Sequence, residues 1–209
     1  MRYLHKYLSA FIFPSVILLT ETAHAAGPLG IGGLKLGLTR PQVEALKGPV
    51  ELASPLAEWK PAKPEDYKPA PGELKLEGML NNPVTGNSKT TLTFNNGRLS
   101  YISLDLDDEA DLNAAKNLIG GKYGPPKVDN RQKDEQCIYR NGNSFTLKNG
   151  MITYKWSQSH GGGVVTTSIW EMLVNICPSN LRYGTTGGIS VRLLSIGYGA
   201  KPAQASNPF

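Results

Sequence analysis

Chemistry-bearing side chains are scarce in this chain. Its 209 residues include three histidines and two cysteines. His5 and His24 fall within the first 25 residues, a stretch read below as a removable leader, which leaves His160 as the sole imidazole. One imidazole excludes the usual zinc sites, which need several Cys or His ligands. Cys137 and Cys177 are far from Cys-x-x-Cys spacing, and no neighbouring charge would activate a thiolate, which argues against redox chemistry. His160-Gly161-Gly162-Gly163 is similar to the oxyanion loop of some esterases, but the Gly-x-Ser-x-Gly elbow that loop serves is missing. Glycines 30, 32, 33 and 37 fit neither dinucleotide nor P-loop spacing, and no Gly-Lys-Ser/Thr follows them.

Other absences narrow the class further. Asp105, Asp107, Glu109 and Asp111 alternate like calcium-loop ligands. Ala110 and Lys116 stand where an EF-hand loop requires Gly and Glu. The four acids therefore read as a strand end and a helix cap. No cofactor and no metal are expected. No Lys/Arg cluster is dense enough for a nucleic-acid groove. The longest apolar run, Leu8 to Leu19, is about 12 residues, short of the roughly 20 that span a bilayer.

That run makes sense as part of a secretory leader. Arg2 and Lys6 precede it, and Ala23-His24-Ala25 follows it with small residues at the first and third places. The order is that of a signal peptide over 1–25, cleaved after Ala25. The whole chain carries net charge +5, and loss of Arg2, Lys6 and Glu21 leaves +4. No cysteine follows Ala25, so no lipid anchor is expected. The expected product is soluble and periplasmic or secreted, without stable membrane insertion. Export also turns the two cysteines into a predicted disulfide, Cys137–Cys177. Closing a loop of that length is worth about 4 kcal/mol in the chain-entropy treatment.

The mature chain, with 23 Gly and 15 Pro counted over the full sequence, predicts short strands and many turns. A single domain is expected over 26–199, and 200–209 lacks periodicity and reads as a mobile tail. Thr39-Arg40-Pro41-Gln42 is a capping box, with Val43 and Leu46 on one helix face, and Gly48-Pro49 as the stop. Residues 49–72 contain six prolines and read as a long, partly extended loop. Trp59 and Tyr67 lie in it among Lys60, Lys63 and Lys68. These five residues are the candidate binding set. The competing reading has both rings packing the loop onto the domain.

Strand patterns dominate from Glu73. Leu74, Leu76 and Leu80 alternate with polar or small residues, and so do Leu92 and Phe94. Asn95-Asn96-Gly97 predicts a hairpin into Leu99–Leu106. The same Asn-Gly dipeptide at 141–142 and 149–150 predicts a meander over about 136–140, 143–148 and 151–157. Longer strands are expected near 164–176 and 188–198. Trp170, Met172, Val174 and Ile176 share one face of the first, and Ile189, Val191 and Leu193 one face of the second. A helix capped by Asp107 or Asp108 carries the stripe Leu112, Ala115, Leu118, Ile119 and Tyr123, and Gly124-Pro125-Pro126 stops it.

The run Leu36-Gly37-Leu38-Thr39-Arg40-Pro41-Gln42-Val43-Glu44-Ala45-Leu46-Lys47-Gly48-Pro49 resembles the entry motif of small envelope proteins of the BamE/SmpA type. Tyr123-Gly124-Pro125 is similar to the helix exit of related periplasmic proteins. The resemblance implies two helices packed on a small antiparallel sheet, a unit that the β-lactamase-inhibitor-protein fold uses in tandem. It also implies a binding role. The chain departs from that pattern in lacking the lipid-anchor cysteine and in carrying the proline-rich insert.

The expected fold is therefore α+β: a meander-rich antiparallel sheet with two helices packed on one side, and one disulfide. The expected function is a non-enzymatic, exported protein-binding module of the bacterial envelope, with another envelope or secreted protein as partner and no nucleic acid. A narrower alternative is an inhibitor or immunity protein against a cell-wall-active or toxic enzyme; net charge +4 suits an acidic or neutral target. A second alternative is a hydrolase of envelope substrate using His160 with Ser157 or Ser159.

Overall fold

A computed structural model describes residues 28–63, 65, 67–138, 141–177 and 187–199. The predicted leader over 1–25 and the expected mobile tail over 200–209 lie outside the described residues. Fourteen elements follow one another: β1 (Gly30–Ile31), β2 (Leu34–Lys35), α1 (Arg40–Glu44), β3 (Glu51–Leu52), β4 (Ala57–Glu58), β5 (Glu73–Asn82), β6 (Gly86–Asn95), β7 (Arg98–Asp105), α2 (Glu109–Tyr123), β8 (Lys127–Asn130), β9 (Lys133–Ile138), β10 (Ser144–His160), β11 (Gly163–Ile176) and β12 (Gly187–Tyr198).

The structure corrects the α+β expectation. Of the described residues 56% are strand and 13% helical, built on one ten-stranded antiparallel sheet. The first helix is a single turn of five residues that buries only Val43. Its capping box forms as read, with Gln42 reaching back to the Thr39 N–H at 2.9 Å. A cap starts a helix but does not lengthen it, and Gly48, at φ +102, ends the segment in the left-handed region. Among the described residues only α2 is a helix of ordinary length. Asp108 caps it by accepting from the Asp111 N–H at 2.9 Å, as the sequence predicts.

The sheet runs β3-β5-β6-β7-β12-β11-β10-β8, with β4 also on β5 and β9 also on β10. Two three-stranded meanders, β5–β7 and β10–β12, thus meet edge to edge through β7 and β12. Each is preceded by a helix and by short strands that cap its outer edge. Asn96 (φ 50) and Gly97 (φ 77) form the predicted tight turn between β6 and β7. The third Asn-Gly prediction is corrected: 149–150 is no hairpin turn. β10 runs through it for 17 residues. Gly150, at φ +106, bends the strand where it stops pairing with β9 and starts pairing with β11 and β8. The proline-rich loop 49–72 is likewise not all loop, since β3 and β4 add two short edge strands to β5.

One face of the sheet is the core face. Leu76, Leu80, Leu92, Phe94, Ile102, Leu104, Ile169, Leu194 and Ile196 point to it, and Leu112, Ala115 and Ile119 of α2 and Ile31 and Leu34 of the β1–β2 hairpin cover it. Trp156 donates to the Gly124 carbonyl at 2.8 Å, which ties the end of α2 to β10. The disulfide forms between Cys137, at the end of β9, and Cys177, just after β11. It clamps the far end of the second meander.

Candidate binding surface

The predicted set Trp59, Lys60, Lys63, Tyr67 and Lys68 divides in two. Trp59 leaves β4 with its N–H donating to the Lys75 carbonyl at 3.0 Å. Its ring meets Tyr67 edge to face, with centroids 5.0 Å apart. The Lys75 ammonium lies 3.5 Å from the Trp59 centroid and 5.3 Å from that of Tyr67, a cation–π arrangement that occupies both rings. The Tyr67 hydroxyl donates to the Glu73 carboxylate. That hydrogen bond, with desolvation and the adjacent negative charge, pushes the phenol up to about 12. The two rings and Lys75 therefore tie the proline-rich segment to β5. Lys60, Lys63 and Lys68 are exposed and none of them forms an ion pair among the described residues.

The hydrolase candidates are separated by strand geometry. Ser157 and Ser159 share one face of β10 and His160 projects to the other, because side chains alternate along a strand. Ser157 instead meets the Thr166 hydroxyl across the ladder at 3.3 Å. Near α2, Asp111 and Asp108 are engaged in the cap, with Asp111 also accepting from the Asp107 N–H at 3.2 Å.

A different surface stands out on the outer face, the side of the sheet turned away from α2. Cross-strand pairing places Met151 opposite Met172 and Met172 opposite Val191. Trp170 lies opposite Leu193, and Val174 opposite Ile189. All have the parity opposite to Ile169 and Leu194, which fill the core. With Ile176 they make one contiguous apolar field across β10, β11 and β12. Ile176 and Ile189 are 66% and 65% exposed, and Val174 is exposed as well. Trp170, Met172, Val191 and Leu193 are half-buried, and no described element covers them. The other meander shows what a solvated face of this sheet looks like: Lys75, Glu77, Lys89, Thr91 and Thr93, with Lys89 and Glu77 paired at 3.1 Å.

The rim of the field carries charge. Asp105 sits directly opposite Leu193. Burial among these neighbours pushes its carboxyl up from the ordinary value, Lys89 pulls it back down, and Asp107 adds a smaller push upward. Asp107 and Asp108 continue this edge, both exposed. So although the whole chain is basic, Asp105, with Lys89 beside it, gives this apolar field an acidic border on the β7 side.

Among the described residues no group of His, Cys, Asp or Glu is placed to hold a metal ion, and no helix is long and apolar enough to cross a membrane. The chain matches no protein-family model, no curated protein and no solved structure.

Proposed function

We propose that this chain is an exported, non-enzymatic module that binds another envelope or secreted protein through the outer face of β10–β12. The observation that carries the reading is the apolar field Met151, Trp170, Met172, Val174, Ile176, Ile189, Val191 and Leu193. An antiparallel sheet with one solvated face normally alternates apolar and polar residues. Here one meander obeys that rule and the other does not. Covering apolar surface gains about 25 cal/mol per Å², and a central tryptophan flanked by two methionines is the composition of an adaptable protein interface. The rigid ladder beneath the field supplies preorganisation, so little ordering cost falls on this side of the contact.

The acidic edge refines the partner expected from net charge alone. A partner side chain that is basic where it meets Asp105 and Asp107 would be complementary, whatever the overall charge of either protein. The predicted leader and the disulfide support placing this contact in the periplasm or outside the cell.

The reading is tested by site-specific photo-crosslinking in the producing cell. Probes at Val174 and Ile189 should yield discrete protein adducts, and probes at Thr91 and Thr93 on the polar half should not. Adducts absent from both apolar positions, or equal at all four, would refute the outer-face contact. Mass measurement of the mature chain tests the leader: a start other than residue 26 overturns the cleavage reading.

A further inference from the structure

A second concavity lies on the opposite side of the molecule, where the β1–β2 hairpin meets the end of α2 and the sheet. One part of it is a cavity of about 140 Å³ walled chiefly by Ile31, Val84, Leu118, Ile119, Leu194 and Ile196. Gly30, Gly32, Lys122 and Tyr123 border both this cavity and a wider hollow of about 410 Å³, to which Lys35 and Gln158 also contribute. The two spaces therefore adjoin, one greasy and one polar. Among the described residues no carboxylate lines either of them. Lys35 and Lys122 form no ion pair among the described residues, so the hollow they both line carries two cations without a counter-charge, the Lys122 ammonium lying 5.2 Å from the Tyr123 ring centroid. Leu118, on the otherwise buried stripe of α2, remains 53% exposed at the lip.

An apolar well that adjoins a polar hollow lined by two lysines has the chemistry of an amphiphile site: the well takes hydrocarbon, the hollow takes an anion. We propose that this site binds a single-chain acyl anion, with the end of the chain in the well and the carboxylate or phosphate between Lys35 and Lys122. The site goes beyond the protein contact proposed above and is independent of it, since it lies on the covered side of the sheet. The anion can arrive as a free fatty acid in water or as a lysolipid held in a membrane; the recognising groups are the same.

The test titrates the mature, disulfide-intact chain with octanoate, decanoate and dodecanoate below their micelle points, and with dodecylamine as the charge-reversed control. Burial of each added methylene should tighten binding about fourfold until the well is full. Dodecylamine should bind at least tenfold more weakly than dodecanoate. The exposed double variant Lys35→Ala/Lys122→Ala should lose tenfold or more, and Leu118→Glu at the exposed lip should do the same without disturbing the fold. Co-sedimentation with phosphatidylcholine vesicles, with and without an anionic lysolipid, distinguishes the sources. Binding of monomeric dodecanoate with no sedimentation identifies the free acid. Lysolipid-dependent sedimentation lost in the double lysine variant identifies the membrane source. Equal binding of the amine, indifference to chain length, unchanged affinity in the lysine variant, or no binding in either arm overturns the proposal. Adducts at Val174 and Ile189 are unaffected by any of these outcomes.

Discussion

Arg192→Met should be among the most damaging single substitutions of a charged residue on the core-facing side of the sheet. Arg192 and Glu171 are cross-strand partners on β12 and β11, on the core-facing side. Their Nε and Oε1 atoms are 2.6 Å apart, and each side chain is only 13% exposed. Glu171 also accepts from the Gln132 amide at 3.2 Å, and Arg192 donates to the Ser190 hydroxyl at 3.3 Å. Removing the guanidinium leaves a nearly buried carboxylate with one neutral donor. Breaking such a pair from one side costs about 3–5 kcal/mol, and the surviving Gln132 bond places the expectation near the lower end, about 3 kcal/mol. For a domain of this size that lowers the melting temperature by roughly 6–12 °C. The double variant Glu171→Leu/Arg192→Met removes both charges and their desolvation cost together, so it should lie within about 1 kcal/mol of the parent. Urea unfolding of the four members of the cycle measures this. The reasoning is refuted if Arg192→Met costs under 1 kcal/mol, or if the double variant costs as much as the two single ones combined.

Three further outcomes are expected. Reducing Cys137–Cys177 should destabilise the chain by about 2–4 kcal/mol; unfolding midpoints that coincide with and without reductant would contradict the clamp. Gly150→Ala should cost about 1–3 kcal/mol, because φ is +106 and a Cβ there would meet the Arg131 carbonyl oxygen at 2.5 Å; a neutral effect in urea unfolding would show that β10 is straight at that point. Asp105→Asn should stabilise the chain at neutral pH. A carboxyl whose folded value is raised is penalised when ionised, so the penalty is absent below its ordinary value of 3.8 and sets in as pH rises through the folded value. The stability difference between variant and parent should therefore grow from acid to neutral pH, and a difference that shrinks over that range would count against the burial of Asp105.

Local chemistry was legible wherever it sufficed to decide the outcome. The Asp108 cap, the Asn96-Gly97 turn and the strand boundaries near 164–176 and 188–198 rest on short-range stereochemistry, and the structure has them. The misreadings share a cause. Thr39–Gln42 is a sound capping box, but a cap does not determine helix length, and α1 stops after one turn. Asn149-Gly150 has turn chemistry, yet β9, β8 and β11 all compete for β10, and the ladder wins over the local preference. For Trp59 and Tyr67 the sequence leaves two readings open, a binding surface or rings that pack the loop onto the domain, and the packing on Lys75 and Glu73 depends on β4 joining β5.

The apolar outer face shows the limit most clearly. Trp170, Met172, Val174 and Ile176, and Ile189, Val191 and Leu193, were identified as sharing faces from alternation alone. In β11, however, the other parity carries Val165, Ile169 and Leu173. A strand that is apolar on both sides does not say which side its own helix will cover. By itself the sequence determined the pairing of its two cysteines, the density of turns and the alternation of each strand, because these follow from residue type and near neighbours. The tertiary structure alone decided that α2 and the β1–β2 hairpin cover Ile169 and Leu194 and leave Trp170 and Leu193 uncovered. The reason is that a helix can pack on only one face of a sheet, and which face it takes is set by chain connections many residues away.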